Sequence, residues 1–281
     1  MTFNKIRSHA KINLALNITG KTPNIHKIES IIAFISLHDV IMIKKTKLKN
    51  HTISFKGKFS NKIGKHNTVF KLLKLLEKKK FLNNKKFIIK IEKRIPIKAG
   101  LGGGSMNAAS VLKYFIKKRI IKISKKEIKE ICKSIGSDVI LGLNFTNSIL
   151  TSKNKIKCFK SAKKFYILIV KPNFGCSTKD IYMKVRKFEK SKFSRPNAKM
   201  FNLDFIKKSN NNLEQIAFLK YPRLKSIKLY LENSCEPVFV RMTGSGSALV
   251  AYYHSREECE YAKKKFTKKY KNYWCIASKT I

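Results

Sequence analysis

The sequence predicts an α+β protein made of two halves, and three observations predict it. Ala10–Ile18 alternates apolar and polar side chains with the two-residue period of a strand, whereas Val69–Leu76 spaces its apolar residues as one face of a helix does. Segments of both kinds recur, without an internal repeat, along 281 residues, a length that fits two modest domains. A boundary between residues 150 and 160 separates an N-terminal part, 1–155, from a C-terminal part, 156–281.

In the first strand Ile12, Leu14, Leu16 and Ile18 face one way and Lys11, Asn13 and Asn17 the other, so Lys11 and Asn13 can serve one site. Val69–Leu76 is a helix, Phe87–Ile91 a short strand, and Lys93–Ser105 a loop leading into a helix from about Met106 to Lys118. Ser124 and Glu127 have the spacing of a capping box. Ile128, Ile131, Cys132 and Ile135 follow at helical spacing, and Gly136 stands where that helix should stop. Asp138 falls directly after, in the kind of turn where a rigid scaffold presents functional side chains. Phe165–Val170 reads as a buried strand, and Lys184–Asn202, basic and poor in apolar residues, as a mobile loop. Leu213–Leu219 and Arg223–Leu231 are helices; Val238–Met242 and Ala248–Tyr252 are strands joined by the glycine-containing turn Thr243–Ser247. Ser255 and Glu258 open a last helix with a second capping box.

Charge alone suggests nucleic acid, since 63 basic residues face 16 acidic ones for a net +47. However, 55 of those 63 are lysine, spread along the whole chain, whereas nucleic-acid readers lean on the planar fork of arginine. No specific nucleic-acid partner is expected; long-range attraction of anionic substrates is. The longest apolar run, Ile31–Ile43, is interrupted by His38 and Asp39 and is too short to span a membrane. Residues 1–9 lack the apolar core of a secretory signal, so a cytoplasmic protein without a membrane partner is expected. The six cysteines (132, 158, 176, 235, 259 and 275) are spaced as neither metal nor redox pairs and read as scattered reduced thiols.

The chemistry is concentrated in four short segments. Pro96–Ala109, PIKAGLGGGSMNAA, holds four glycines within five positions (100, 102, 103 and 104) and then Ser105, before a helix-forming run. Glycine permits positive φ and close backbone approach, and the helix start that follows offers unpaired amides and a partial positive charge, which together cradle phosphate. The segment is not a Walker A loop, because no lysine follows the glycines, nor the dinucleotide pattern, because position 105 is serine. Asp138 in Gly136–Val139 is either a helix cap or the carboxylate that phosphoryl transfer to an alcohol wants near the hydroxyl. Lys11 is by itself only one lysine among many. Thr243–Ser247 is either a plain hairpin or a turn bringing backbone amides to a ligand.

Taken in order, these segments resemble the GHMP kinases, and within them the branch that acts on a cytidine diphosphate-linked methylerythritol. The resemblance rests on AKINLALNITGK (10–21), KRIPIKAGLGGGSMNAA (93–109), IGSDV (135–139) and RMTGSGSALV (241–250), and more weakly on Asn212-Leu213-Glu214. It implies a two-domain GHMP kinase fold: a ribosomal-protein-S5-like N-terminal domain carrying the ATP loop and a ferredoxin-like C-terminal domain. It also implies ATP and Mg2+ as cofactors and a small-molecule acceptor. Lys11 and Asp138 would be the catalytic pair, Asp138 taking the hydroxyl proton while Lys11 keeps it ionised and stabilises developing charge. Pro96, Ala99, Gly100, Leu101, Gly102, Gly103, Gly104, Ser105, Asn107 and Asn67 would hold ATP, with Ser105 as a metal ligand. Asn13, His26, Tyr182, Thr178, Gly244 and Gly246 would hold the acceptor, Tyr182 stacking on cytosine. The family's aromatic before His26 is Ile25 here, its second loop serine is Met106, and its proline two residues after the aspartate is Ile140. The resemblance leaves a monomer and a homodimer equally open. Other GHMP acceptors (homoserine, mevalonate) and a basic nucleic-acid-binding protein are the competing readings.

Overall fold

Two strands far longer than local patterning suggests, β1 (Asn4–Lys21) and β2 (His26–Thr46), organise the chain. In the computed structural model, which describes residues 2–23, 25–61, 63–160 and 164–281, they are followed by β3 (Thr52–Lys56), α1 (Thr68–Lys78), β4 (Lys86–Glu92), α2 (Gly103–Lys117) and α3 (Lys125–Ile135). A 3-10 turn over Val139–Leu143 precedes β5 (Asn147–Leu150), β6 (Ile156–Phe159), β7 (Tyr166–Lys171), α4 (Thr178–Met183) and α5 (Leu203–Lys208). Then come α6 (Leu213–Lys220), α7 (Pro222–Ser234), β8 (Phe239–Met242), β9 (Leu249–Tyr253), α8 (Arg256–Lys269) and β10 (Trp274–Lys279). Among the described residues no helix is long and apolar enough to cross a membrane.

The chain forms two compact units, neither of them a continuous run. The first comprises Met1–Ala10, Leu37–Ile97 and Gly102–Phe145. Here the second half of β2 pairs antiparallel with β4 (Val40 opposite Glu92), and β3 pairs parallel with β4. The apolar face of this sheet meets Val69, Leu72, Leu73 and Leu76 of α1, and Ala108, Val111, Leu112 and Phe115 of α2, in one core. α1 and α3 begin as the sequence predicts. Asn67 caps α1, and Ser124 and Glu127 close a complete capping box on α3.

The second unit comprises Lys11–Ser36, Lys98–Leu101 and Thr146–Ile281. A single cut at 155 would leave the first two of these segments with the N-terminal part, whereas here they group with the C-terminal one. Its four-stranded antiparallel sheet has the order β10-β7-β9-β8. With helices between β7 and β8 and between β9 and β10, that is the ferredoxin-like pattern. Leu168, Val170, Leu249 and Ala251 of the sheet pack on α6, α7 and α8 through Ala217, Leu224, Ile227, Ala262 and Phe266. At the second capping box Ser255 accepts from Glu258 N, but the Glu258 carboxylate turns to the His254 amide, so the reciprocal bond is not made.

The segment 184–202, expected to be mobile, is instead tied down by a residue far from it in sequence. Glu29, fully buried in β2, accepts from Ser191 Oγ (2.7 Å), Lys192 N (2.6 Å) and Phe193 N (3.2 Å), and also from Asn17 Nδ2 (3.1 Å). Phe193, Val185 and Met200 are buried, so a few apolar anchors suffice once the carboxylate satisfies the backbone. All four partners donate to the two carboxylate oxygens. Glu29→Gln should turn an amide toward those donors and raise the rate of tryptic cleavage after Lys187, Lys190 or Lys192 by roughly tenfold through local opening. Time-resolved proteolysis checks this, and an unchanged rate would contradict it.

Candidate active site

The glycine segment is a loop that becomes a helix sooner than the sequence predicts. α2 starts at Gly103 and not near Met106, because Gly102 adopts the left-handed conformation (φ 69°) and serves as the cap. No side chain caps this helix and its first turn carries no acid, so the leading amides keep their positive potential for an anion. Thr68 Oγ1 donates to Gly104 O (2.6 Å), fastening the start of α1 to the same turn. Asn67, expected near adenine, uses its side chain on the capping: it accepts from Val69 N and Phe70 N and donates to Gly64 O and Lys65 O.

The Asp138 turn is built directly on α2. A β-carbon added at Gly142 would lie 2.7 Å from Ala109 Cβ and 2.9 Å from Met106 Sδ, so only glycine lets the 3-10 turn approach so closely. Met106 is fully buried in this contact; the residue that replaces the family's second serine has become core. Ser105 faces the same turn, its Oγ 3.8 Å from the β-carbon position of Gly136. Asp138 is half-buried and precedes the 3-10 turn without capping it, so the helix-cap reading of this residue does not hold. Ile140 packs against the core of this unit.

In the second unit Lys11 and Asn13 lie on one face of β1, as the alternation predicts, and both are buried. Lys11 Nζ donates to Asn13 Oδ1 (2.6 Å), whose Nδ2 donates to Ser30 Oγ (2.8 Å). The Lys11 amide bonds to Leu101 O (3.1 Å) and the Asn13 amide to Thr243 Oγ1 (3.0 Å), so β1 holds both the glycine loop and the C-terminal turn. At Gly100, with φ +74°, a β-carbon would stand 2.0 Å from Thr243 O; at Gly244, with φ +54°, it would stand 3.2 Å from Gly100 O. Thr178 and Ser245 share a hydroxyl hydrogen bond of 2.8 Å, and Gly246 packs against Met242 and Cys176. Sequence reasoning missed Asn211, whose Nδ2 donates to Met242 O (2.7 Å) and Gly244 O (2.8 Å) and so holds the turn in place. Only its position beside the Asn212-Leu213-Glu214 motif pointed to it.

His26 and Tyr182 form a tilted ring pair with centroids 5.2 Å apart, next to an exposed Ile25. Burial, and secondarily the charge of Lys21, hold the imidazole below its ordinary value, so it is neutral at pH 7. Its Nε2 is buried without a hydrogen-bond partner among the described residues. A buried ring nitrogen left in this state is suited to a polar ligand.

A glycine run at an uncapped helix start and a carboxylate in the adjoining turn, both in the first unit, and a buried lysine on β1 in the second are the features by which the chain resembles an ATP-dependent small-molecule phosphotransferase of the GHMP kinase type, and its similarity to known proteins shows that class. Residues 67–146 match the model of the GHMP kinases N terminal domain. The chain is 55% identical, over 99% of both chains, to the 4-diphosphocytidyl-2-C-methyl-D-erythritol kinase of Pelagibacter ubique (strain HTCC1062). It is 33% identical, over 99% of this chain and 100% of the other, to that of Clostridium tetani. The chain therefore belongs to the 4-diphosphocytidyl-2-C-methyl-D-erythritol kinase family. Solved structures agree on the fold. A 4-(cytidine 5'-diphospho)-2C-methyl-D-erythritol kinase aligns with TM-score 0.79 at 21% identity, covering 99% of each chain. The homoserine kinase of Cytophaga hutchinsonii aligns with TM-score 0.72 at 15% identity, covering 100% of this chain and 95% of the other.

Proposed function

We propose that the chain transfers the terminal phosphoryl group of ATP to the 2-hydroxyl of 4-diphosphocytidyl-2-C-methyl-D-erythritol, a step of non-mevalonate isoprenoid precursor synthesis. The observation that carries this reading is the 55% identity, over essentially the full length, to a relative named for that substrate. Asp138 is the base that takes the hydroxyl proton, and Lys11 is the cation that orients the hydroxyl and offsets its developing charge. Pro96, Ala99 and Leu101 shape the loop whose glycines, with Ser105, hold the phosphates, and Asn107, buried and bonded to Asp39, contributes to ATP binding from behind the loop. Asn67 acts through position, at the helix start that Thr68 fastens to Gly104. On the acceptor side we assign Asn13, Thr178, Gly244 and Gly246, together with His26 and Tyr182. The unpartnered Nε2 of His26 beside the Tyr182 ring supports recognition of a flat base with polar edges, such as cytosine.

Among the described residues no three His, Cys, Asp or Glu side chains group as a metal site. The fit is therefore to a cation that arrives on the nucleotide, as Mg2+ does with few protein ligands, and Ser105 is the protein oxygen we assign to it. Bound there, Mg2+ would neutralise phosphate charge. The reaction belongs to the cytoplasm and to a monomer or homodimer, with no specific nucleic-acid partner, in keeping with the predominance of lysine over arginine.

The test is where the phosphate sits in the product. Carbon 2 of the acceptor carries a methyl group and no hydrogen, so a 2-phosphate shows no phosphorus coupling to a carbinol proton. The two diphosphate phosphorus atoms couple to their CH2 protons in any product, so the diagnostic signal is the new monoester phosphorus: coupling of that signal to a carbinol proton would place the phosphate on another hydroxyl and overturn the assignment.

A further inference from the structure

We infer that Asp39 is a positioning residue for the ATP loop: one buried carboxylate ties the chain on both sides of the glycine run and so sets the path of its amides. The inference rests on the reading of residues 96–105 as the phosphate-binding loop.

Asp39 lies in β2, one residue beyond the point where Val40 pairs with Glu92 of β4. There β4 ends and the chain bends into the loop. The next two free amides turn onto the carboxylate, Arg94 N to Oδ1 at 2.8 Å and Ile95 N to Oδ1 at 2.9 Å. The other oxygen, Oδ2, accepts from the Lys93 ammonium and from Asn107 Nδ2 at 3.0 Å. Asn107 belongs to α2, which begins at Gly103, so it lies downstream of the whole glycine run. One side chain therefore fixes the chain at 94–95 and again at 107, across all four loop glycines.

All three side chains are buried, Asp39 completely. A carboxylate buried to this degree is found only where donors surround it, and here four are in place. Glycines resist a single conformation more than any other residue, so a loop rich in them presents its amides in one arrangement only if its ends are held. Lys93 reaches the same place: its Nζ lies 3.3 Å from the β-carbon position of Gly103, at the very start of α2. Asp39 neutralises that ammonium, and Lys93 in turn keeps the carboxylate from opposing an incoming phosphate. Burial pulls the Lys93 ammonium below its ordinary value while the Asp39 charge opposes the shift, as expected of a pair withdrawn from water.

The variant Asp39→Asn keeps the shape and the acceptor facing Arg94 N and Ile95 N, but sets an amide against Lys93 and Asn107. The measurement is calorimetric titration of the folded protein with the β,γ-imido analogue of ATP and, separately, with 4-diphosphocytidyl-2-C-methyl-D-erythritol. Asp39→Asn should raise the nucleotide Kd by at least about tenfold and leave the acceptor Kd within about twofold. The double variant Asp39→Asn/Asn107→Asp, which returns a carboxylate to the downstream tie, should recover part of the loss. If Asp39→Asn does not fold, Asn107→Ala cuts the downstream tie alone and should raise the nucleotide Kd about threefold, again without moving the acceptor Kd. Equal losses for both ligands, or no loss, would overturn the inference and leave the loop reading intact. A parent protein that binds no nucleotide would overturn both.

Discussion

Asp138→Asn is expected to fold as the parent does and to lose about 10²–10⁴-fold in turnover. The residue precedes the 3-10 turn at Val139–Leu143 without capping it, so exchanging carboxylate for amide leaves that turn its backbone geometry. The turn is held from beneath by the contact of Gly142 with Ala109 and Met106, which does not involve the side chain at 138. What the substitution removes is the ability to accept a proton from the acceptor hydroxyl. The nucleotide Kd should therefore change little while kcat falls. Steady-state rates beside nucleotide titration check this, and a variant retaining more than about a tenth of parental kcat would remove Asp138 from the role of base.

Gly100→Ala should have the largest structural effect of any single methyl group added to the site. Gly100 sits at φ +74°, where a side chain costs energy by itself, and the added carbon would lie 2.0 Å from Thr243 O and 2.9 Å from Thr243 C. Both obstacles are backbone, so neither can rotate away, and the loop must part from the Thr243–Ser247 turn. We expect a loss of at least about 2–4 kcal/mol of stability together with loss of nucleotide binding. Gly64→Ala is the control, since a β-carbon there meets nothing within 4 Å. Denaturant unfolding of the two variants decides the matter: equal midpoints would show that the close approach of loop and turn is not required.

What was legible in the sequence is what depends on local period and local chemistry. The face shared by Lys11 and Asn13, the capping box of Ser124 and Glu127, and the glycine cradle all follow from residues a few positions apart. What was not legible depends on partners far along the chain. Asp39 showed only as a break in the apolar run 31–43, and Glu29 not at all, yet each is a buried carboxylate whose donors lie more than 50 residues away, apart from Asn17. A usable signal was present: with 16 acids against 63 bases, an acid inside or beside an apolar strand run demands a specific set of donors. The full lengths of β1 and β2 were hidden for different reasons: β1 runs past Ala10–Ile18 at both ends into mostly exposed or half-buried residues that carry no apolar period, whereas β2 is buried on both faces over residues 29–35, where alternation fades. The α2 start was misplaced by three residues because glycine reads as loop, although Gly102 as a left-handed cap lets Gly103 and Gly104 begin the helix.

The central claim is tested most directly by acceptor-dependent ADP formation. Purified protein is offered ATP with 4-diphosphocytidyl-2-C-methyl-D-erythritol, with homoserine and with mevalonate in separate reactions. The account predicts one ADP for each cytidine-linked acceptor consumed, and no ADP above background with the other two. ADP formation with homoserine or mevalonate, and none with the cytidine-linked acceptor, would contradict it.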